Sequence, residues 1–342
     1  MAVPRSYHTA TLISQDNTVL ITGGVYAATI SASVEKYVPS TGCFQSMRNM
    51  PRARYMHSAN QLPSFSNYVL IAGGIVPAVG PVDIGDFYHP ITGDTITIDL
   101  TSVRYLHTAV VLSSSQIVLI GGYASAAVIL NTNDMLNTAT GSVFVAGTNT
   151  MAQAHVYHTA TLLGNNSDLV LVAGGTNGGV LSAAYLYHGS SNAFISLGSG
   201  VALLPARYAH AATYLPPPIN KVLITGGLGG VIYGLLTLFD AVTYTFTTLT
   251  TTLIYPRYYH TATLLPNGKI LIIGGFNGSS MTSCELIDPS NNYTVTLAAH
   301  LYEGRYWHTA TLIPDKNNGT VLACGGYSPP NNAINDCEIY YV

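Results

Sequence analysis

Seven histidines are the side chains of this sequence best suited to chemistry, because a neutral imidazole is a good ligand for metals such as copper. Each is followed 14 to 17 residues later by a Gly-Gly pair, and successive members lie 48 to 52 residues apart. They are His8, His57, His107, His158, His210, His260 and His308. A reaction needs one site, whereas a residue that recurs in every repeat is explained by the scaffold. We therefore predict a structural role for these histidines.

Other catalytic arrangements find no support in the sequence. There is no nucleophile elbow, and no Gly-Gly pair is followed by the Lys-Ser/Thr of a phosphate-binding loop. A glycosidase needs two carboxylates close together, but the acidic residues are scattered along the chain: Asp83, Asp86, Asp134 and Asp240. The sequence therefore predicts a protein that is not an enzyme, with no cofactor and no metal.

The cysteines do not follow a metal-binding pattern. Cys43, Cys284, Cys324 and Cys337 contain no CxxC pair or other zinc spacing. Cys324 and Cys337 fall on what should be neighbouring strands of the last repeat, so a disulfide can form between them.

Charge is scarce in this chain. Only 8% of residues are Asp, Glu, Lys or Arg, against about 25% in an ordinary soluble domain. The net charge of −3 provides no basic patch, so nucleic acid is not an expected partner. No uncharged apolar stretch approaches the roughly 18 residues of a membrane span.

N-glycosylation sequons and the low charge together favour an extracellular or cell-surface setting. Four sequons fall in predicted loops or turns, where a secreted protein can accept glycans. Their asparagines are Asn165, Asn277, Asn292 and Asn318.

The repeats predict the fold. In the sixth repeat, strand-like runs at 260–265, 269–273, 283–287 and 293–297 are separated by turns and by Gly274-Gly275. Repeats of about fifty residues with four antiparallel strands indicate a β-propeller. We predict one domain over residues 1–342, with repeats that begin near residues 4, 53, 103, 154, 206, 256 and 304.

Two further positions that recur when the repeats are aligned support a structural role for the repeated residues. The second residue after each histidine is alanine in all seven repeats, as the crowded innermost strand requires. The third residue before it is arginine in six repeats, with His155 in the fourth. These arginines are Arg5, Arg54, Arg104, Arg207, Arg257 and Arg305.

The pattern Arg-x-x-His-x-Ala, followed by an apolar strand, Gly-Gly and a third strand such as Tyr37-Val-Pro-Ser-Thr-Gly42, resembles the kelch repeat. It is most similar to the propellers of galactose oxidase-like and multi-kelch proteins. The resemblance implies an all-β, seven-bladed propeller of kelch type with four-stranded antiparallel blades. Counting strands leaves the last blade without its outer strand.

The galactose oxidase-like proteins imply an enzymatic alternative, a copper radical oxidase. Such enzymes use two histidines and two tyrosines as ligands, one tyrosine being cross-linked to a cysteine. Their Tyr-His ligand pair is matched by Tyr7-His8, Tyr157-His158 and Tyr259-His260, and less closely by Trp307-His308. Because the histidine column is complete and the tyrosine column is not, we expect the histidines to bond to backbone groups at the blade junctions instead.

Ligand binding is predicted on the face that carries the loops after Gly-Gly, the usual ligand face of kelch propellers. Aromatic and amide side chains on these loops suit a protein or a glycan. They are Tyr26, Tyr123, Asn177, Tyr233, Phe276, Asn277 and Tyr327. We predict an extracellular scaffold that recognises protein or carbohydrate through this loop face, and packing over the blade rims is the alternative for each residue.

The C-terminal edge suggests a structural alternative. The last blade is expected to expose the backbone of its third strand, which either residues beyond the given sequence or a segment of another chain can pair with. A subunit of an extracellular assembly or filament, self-associating at this edge, is therefore the second function to consider.

Overall fold

Seven antiparallel sheets, one for each repeat, are arranged around a central axis. The computed structural model describes residues 1–62, 65, 68–112, 116–139, 143–164, 168–198, 200–314, 319–329 and 332–341. Each innermost strand contacts the innermost strand of the next sheet, and the last contacts the first. The sheets are therefore the blades of a closed seven-bladed β-propeller, as predicted. We number the blades 1–7 in chain order and letter their strands a–d from the axis outward.

The two inner strands of each blade follow the repeated histidine and precede Gly-Gly. Strands a are Thr9–Ile13, Ser58–Gln61, Thr108–Val111, Thr159–Leu162, Ala211–Leu215, Thr261–Leu264 and Thr309–Ile313. Strands b are Thr18–Thr22, Val69–Ala72, Gln116–Ile120, Leu169–Ala173, Lys221–Thr225, Ile270–Ile273 and Thr320–Cys324.

The outer strands complete six of the blades. Strands c are Val34–Val38, Ile84–Tyr88, Asn133–Asn137, Ala184–His188, Leu235–Asp240, Cys284–Asp288 and Cys337–Tyr341. Strands d are Cys43–Ser46, Thr95–Asp99, Phe144–Ala146, Ala193–Ser196, Phe246–Thr252 and Thr294–Leu297. Within the described residues blade 7 has three strands, which confirms the prediction that it lacks the outer one.

The connections between strands b and c form hairpins on one face of the propeller. Four contain short paired strands: Val25–Tyr26 with Thr29–Ile30, Ile75–Val76 with Gly80–Pro81, Tyr123–Ser125 with Val128–Ile129, and Tyr327–Ser328 with Asn332–Ala333. The turn after strand c of blade 6 contains a single turn of 3-10 helix, Pro289–Asn291. We call the side with these hairpins the loop face.

Apolar side chains are buried between neighbouring blades. Strand b of blade 6, Ile270–Ile273, is buried along its whole length, as its continuous apolar sequence predicts. Strand d of the same blade, Thr294–Leu297, is mostly exposed. Among the described residues there are seven hydrophobic clusters, one at each junction between successive blades.

The Gly-Gly pairs are the points where one blade meets the backbone of the next. Gly23 has φ +63°, and a Cβ there would lie 2.4 Å from the carbonyl oxygen of Arg54. The Gly24 N–H donates to the same oxygen at 2.9 Å. The equivalent bond recurs at every junction, and at the last one the Gly326 N–H donates to the Arg5 carbonyl at 2.9 Å. Glycine is therefore required for close approach as well as for positive φ.

Candidate functional site

The seven repeated histidines lie at the blade junctions, but our expectation that they bond to backbone groups was wrong for their Nε2 atoms. The His107 Nε2 lies 2.9 Å from the Ser58 hydroxyl of the preceding blade. The His8 Nε2 lies 3.0 Å from the Thr309 hydroxyl, which joins blade 7 to blade 1. The position after each histidine is usually Thr or Ser, so the preceding strand a presents a hydroxyl at this point.

Burial keeps these imidazoles neutral. It is the main cause that lowers the pKa of His8, His107, His210 and His308 to about 3, and nearby buried arginines lower it further. The pKa of His57, His158 and His260 is also well below its usual value. The ring of histidines is therefore an uncharged part of the scaffold.

The repeated arginines are fully buried, and they stabilise the linkers, the segments that join strand d of one blade to strand a of the next. The Arg257 guanidinium donates to the Ser283 carbonyl at 2.8 Å and pairs with the Glu285 carboxylate. Glu285 in turn accepts the N–H groups of Ile254 at 2.7 Å and Tyr255 at 3.1 Å. The same type of ion pair joins Arg5 to Glu35, Arg54 to Asp86, Arg104 to Asp134 and Arg305 to Glu338.

Blades 4 and 5 depart from this pattern. In blade 4 the arginine and the acid are both replaced, by His155 and Tyr185, whose rings lie 5.5 Å apart. In blade 5 the arginine remains, but Thr237 occupies the acid position and bonds to the Arg207 guanidinium at 3.0 Å. The ring of Tyr233 lies 5.5 Å from that guanidinium. Burial lowers the pKa of Arg207 to about 10, and no carboxylate pairs with it among the described residues.

The residue before each histidine has an unusual backbone conformation. All seven have a left-handed φ between +52° and +56°, which is a true outlier for bulky side chains. Peptide hydrogen bonds join four consecutive pairs of them; for example, the Met56 N–H donates to the Tyr7 carbonyl at 3.1 Å and the Leu106 N–H to the Met56 carbonyl at 3.0 Å. The seven residues are Tyr7, Met56, Leu106, Tyr157, Ala209, Tyr259 and Trp307. Such conformations cluster at functional sites, so this ring is a candidate site.

Four of these residues form what we call the axial aromatic cluster, Tyr7, Tyr157, Tyr259 and Trp307. Ring centroids are 4.3 Å apart for Tyr7 and Trp307, 5.1 Å for Tyr259 and Trp307, and 5.7 Å for Tyr157 and Tyr259. Burial raises the pKa of all three tyrosines, so their hydroxyls are neutral donors. The Trp307 Nε1 is buried and has no hydrogen-bond partner in the described part of the chain.

Two adjacent cavities open around this cluster. The axial cavity, of about 310 Å³, is lined by the cluster, by Met56 and Leu106, and by five of the histidines. A second cavity of about 260 Å³ shares Tyr7 and Trp307 and continues to Tyr26 and Tyr327. Because they share two lining residues, the cavities lie side by side, and together they form a recess without charged lining residues from the axis toward the rim of blades 1 and 7.

The predicted ligand-binding residues divide into three groups. Tyr26 and Tyr327 line the second cavity. Tyr123, Tyr233 and Phe276 pack over the blade rims; for example, Tyr123 stacks on Tyr105 at 5.2 Å. The third group consists of two asparagines that are exposed at hairpin tips, Asn177 and Asn277.

Sequence reasoning considered the axial aromatic cluster only as potential copper ligands and missed it as a binding surface. The signal was present in the column before the histidines, which contains three tyrosines and the only tryptophan of the chain. The left-handed turn that directs them over the axis is visible only in the structure.

The residues around the axis do not fit a copper radical centre. Such a centre needs a tyrosine linked to a cysteine, but none of the residues that line the two cavities is cysteine. The histidine Nε2 atoms are hydrogen-bonded to hydroxyls between blades, as at His158 and Thr108, 2.9 Å apart. No group of three or more His, Cys, Asp or Glu suited to a metal occurs among the described residues.

The cysteines and sequons lie away from the axis. Cys324 and Cys337 are directly opposite each other on strands b and c of blade 7 and form a disulfide. Cys43 is exposed and Cys284 is buried. The exposed sequon asparagines are Asn277, in a loop-face hairpin, and Asn292, in a turn on the opposite face. Asn165 and Asn318 lie outside the described residues.

Comparisons with known proteins agree with the repeat. The Kelch motif matches residues 4–51 and 256–293, which contain blade 1 and much of blade 6. The comparison with curated proteins gives no match. The described part of the chain contains no helix with the length and apolarity to cross a membrane. The fold is therefore a seven-bladed β-propeller of kelch type, in which two repeats match the Kelch motif and all seven share the same histidine, alanine and Gly-Gly positions.

Proposed function

We propose that this propeller is a non-enzymatic interaction scaffold that binds a protein partner through its loop face. The observation that carries the proposal is the recess formed by the two cavities, which share Tyr7 and Trp307. Concave, largely apolar sites with a few directed polar groups are the usual form of a binding site. Trp307 lines both cavities, and its buried Nε1 has no hydrogen-bond partner among the described residues.

Trp307 makes this proposal testable without a label, because it is the only tryptophan of the chain. Peptides selected from a phage-displayed random library on the folded protein should change its fluorescence on binding. Replacing Trp307 by Ala, or the exposed Tyr26 by Ala, should weaken binding at least tenfold, since aromatic anchors dominate interface energetics. Isothermal titration calorimetry compares the variants, because Trp307→Ala removes the fluorophore. Tyr341→Ala, on the opposite face, is the matched control and should bind as the parent does. Equal binding by all variants would remove the loop face as the site.

An extracellular or cell-surface setting is part of the same proposal. It is supported by the low charge, by the exposed sequons at Asn277 and Asn292, and by the Cys324–Cys337 disulfide, a bond typical of oxidising compartments. Secretion from eukaryotic cells should give a protein whose intact mass falls after N-glycosidase treatment. An unchanged mass would count against glycosylation.

Self-association is the second candidate function, and one feature of blade 7 favours it. Strand c, Cys337–Tyr341, has no neighbour on its outer side within the described residues, and the Ile339 and Tyr341 side chains are exposed there. A cavity of about 400 Å³ beside it is lined by Tyr37 and Ile313. A strand from another copy would pair with this edge. Light scattering that shows only monomers would count against this candidate.

A further inference from the structure

The loop face carries almost no charge, and this restricts the chemistry of its partner. The hairpin segments between strands b and c, 25–31, 75–81, 123–130, 176–181, 228–233, 276–281 and 327–333, contain no Asp, Glu, Lys, Arg or His. Beyond the hairpins, these connections carry two exposed acids, Asp83 in blade 2 and Asp336 in blade 7. The six repeated arginines cannot supply charge to a ligand, because their side chains are fully buried. The nearby histidines are neutral for the reason given above.

Exposed apolar side chains mark the hairpin tips of blades 1 to 5. They are Tyr26, Val79, Val128, Val180 and Val231, which we call the apolar rim. Val79 and Val231 are 70% and 62% exposed. Blade 6 has Asn277 and Ser279 at the equivalent place, so the rim is an arc. These five exposed side chains are the apolar contacts that the hairpin tips offer to a partner.

We infer that the partner of this face is an uncharged peptide segment that places an aromatic or aliphatic side chain in the axial cavity and covers the apolar rim. This inference rests on the proposed function and specifies the partner. At the axial cavity and the apolar rim, an acidic or basic segment would lose its hydration without meeting an opposite charge. The rings of Tyr7 and Trp307, which lie 4.3 Å apart and line both cavities, provide the apolar contact.

The chain offers closely matched variants to test this inference. Val79→Asp and Val231→Asp introduce a charge on the apolar rim. Ile91→Asp and Val242→Asp introduce the same charge in the same blades, at turns of the opposite face where the residues are 68% and 70% exposed. All four sites are exposed, so the substitutions should leave the fold intact, which circular dichroism can verify.

The experiment selects peptides from a phage-displayed random 12-residue library. It then determines their amino-acid composition and measures how their affinity for the protein depends on salt. We expect peptides with an aromatic or aliphatic anchor and no net charge, whose affinity changes less than twofold between low and high salt. Val79→Asp or Val231→Asp should weaken them at least tenfold, and the two control variants should not.

Other results separate the two levels of the proposal. Acidic or basic peptides whose affinity falls steeply with salt, but which still require Trp307, would overturn the uncharged partner and leave the loop-face scaffold standing. Displacement of the selected peptides by a neutral oligosaccharide, with tighter binding of the sugar, would replace the peptide by a glycan. Failure to select any peptide that depends on Trp307 would overturn both the inference and the proposed function.

Discussion

At the scale of single residues, the repeated arginines have different hydrogen-bond partners in different blades. Arg257 and Glu285 are both fully buried and paired, and Glu285 also accepts two linker N–H groups. Arg207 is just as buried, but it bonds to carbonyls and to the Thr237 hydroxyl instead of a carboxylate. The consequences of removing the two arginines should therefore differ.

Arg257→Ala should lower the free energy of unfolding by about 3–5 kcal/mol, because it leaves the Glu285 carboxylate buried without its partner. Arg207→Ala should cost less, about 1–3 kcal/mol, since it removes hydrogen bonds and leaves no buried charge behind. Urea denaturation of the two variants and the parent measures both values. An equal or larger loss for Arg207→Ala would show that the ion pair is not what stabilises blade 6.

At the scale of the strand and blade, blade 7 is held differently from the others. Its strand c has no outer neighbour within the described residues, and the Cys324–Cys337 disulfide joins that strand to strand b. In the complete blades, strand c is instead held between two hydrogen-bonded neighbours, as Cys284–Asp288 is in blade 6. The covalent bond therefore stabilises the blade that has the fewest hydrogen-bonded strands.

Replacing Cys324 and Cys337 together by Ala should lower the free energy of unfolding by about 3 kcal/mol, the value expected for a disulfide that closes a short loop. Adding a thiol reductant to the parent should lower it by a similar amount. Cys43→Ala, at an exposed free cysteine, is the control and should have little effect. A reductant that leaves the unfolding curve unchanged would mean that the disulfide does not stabilise the blade.

The elements were more predictable than the site. Apolar runs such as Ile270–Ile273 and the Gly-Gly pairs that follow them identify the strands and the blades, because the same pattern occurs in all seven repeats. The partners of His107 and Arg257 were less accessible, since the Ser58 hydroxyl and the Glu285 carboxylate come from other strands. The axial aromatic cluster depends on a left-handed turn in front of each histidine, which the residue types Tyr and Trp do not favour by themselves.

At the scale of the whole molecule, seven buried neutral histidines make stability depend on pH. Their pKa is near 3 or well below its usual value in the folded protein, but about 6.5 in an unfolded chain. Below about pH 6.5 the unfolded state therefore binds more protons than the folded state, and protonation favours unfolding. The stability that these residues contribute is complete above about pH 6.5 and is lost as the pH falls toward about 3.

The free energy of unfolding should accordingly fall steeply on acidification from about pH 6.5 to about pH 4, by about 1.4 kcal/mol per pH unit for each histidine that titrates. His107→Gln keeps a hydrogen-bonding side chain beside Ser58 but cannot be protonated. It should therefore reduce the slope of unfolding free energy against pH by the contribution of one histidine, about 1.4 kcal/mol per pH unit. Urea denaturation at a series of pH values measures the slope. A flat profile, or an unchanged slope in His107→Gln, would show that these histidines do not control the acid response.

The left-handed position before each histidine has a consequence for how such a protein can diversify. In this one chain the position already holds tyrosine, methionine, leucine, alanine and tryptophan, all with nearly the same φ. The backbone there is therefore set by its neighbours and not by its own side chain. Mutation can exchange these seven side chains one at a time while the buried columns beneath them keep the fold, so descendants of one ancestral propeller can acquire new partners without having to evolve a new scaffold.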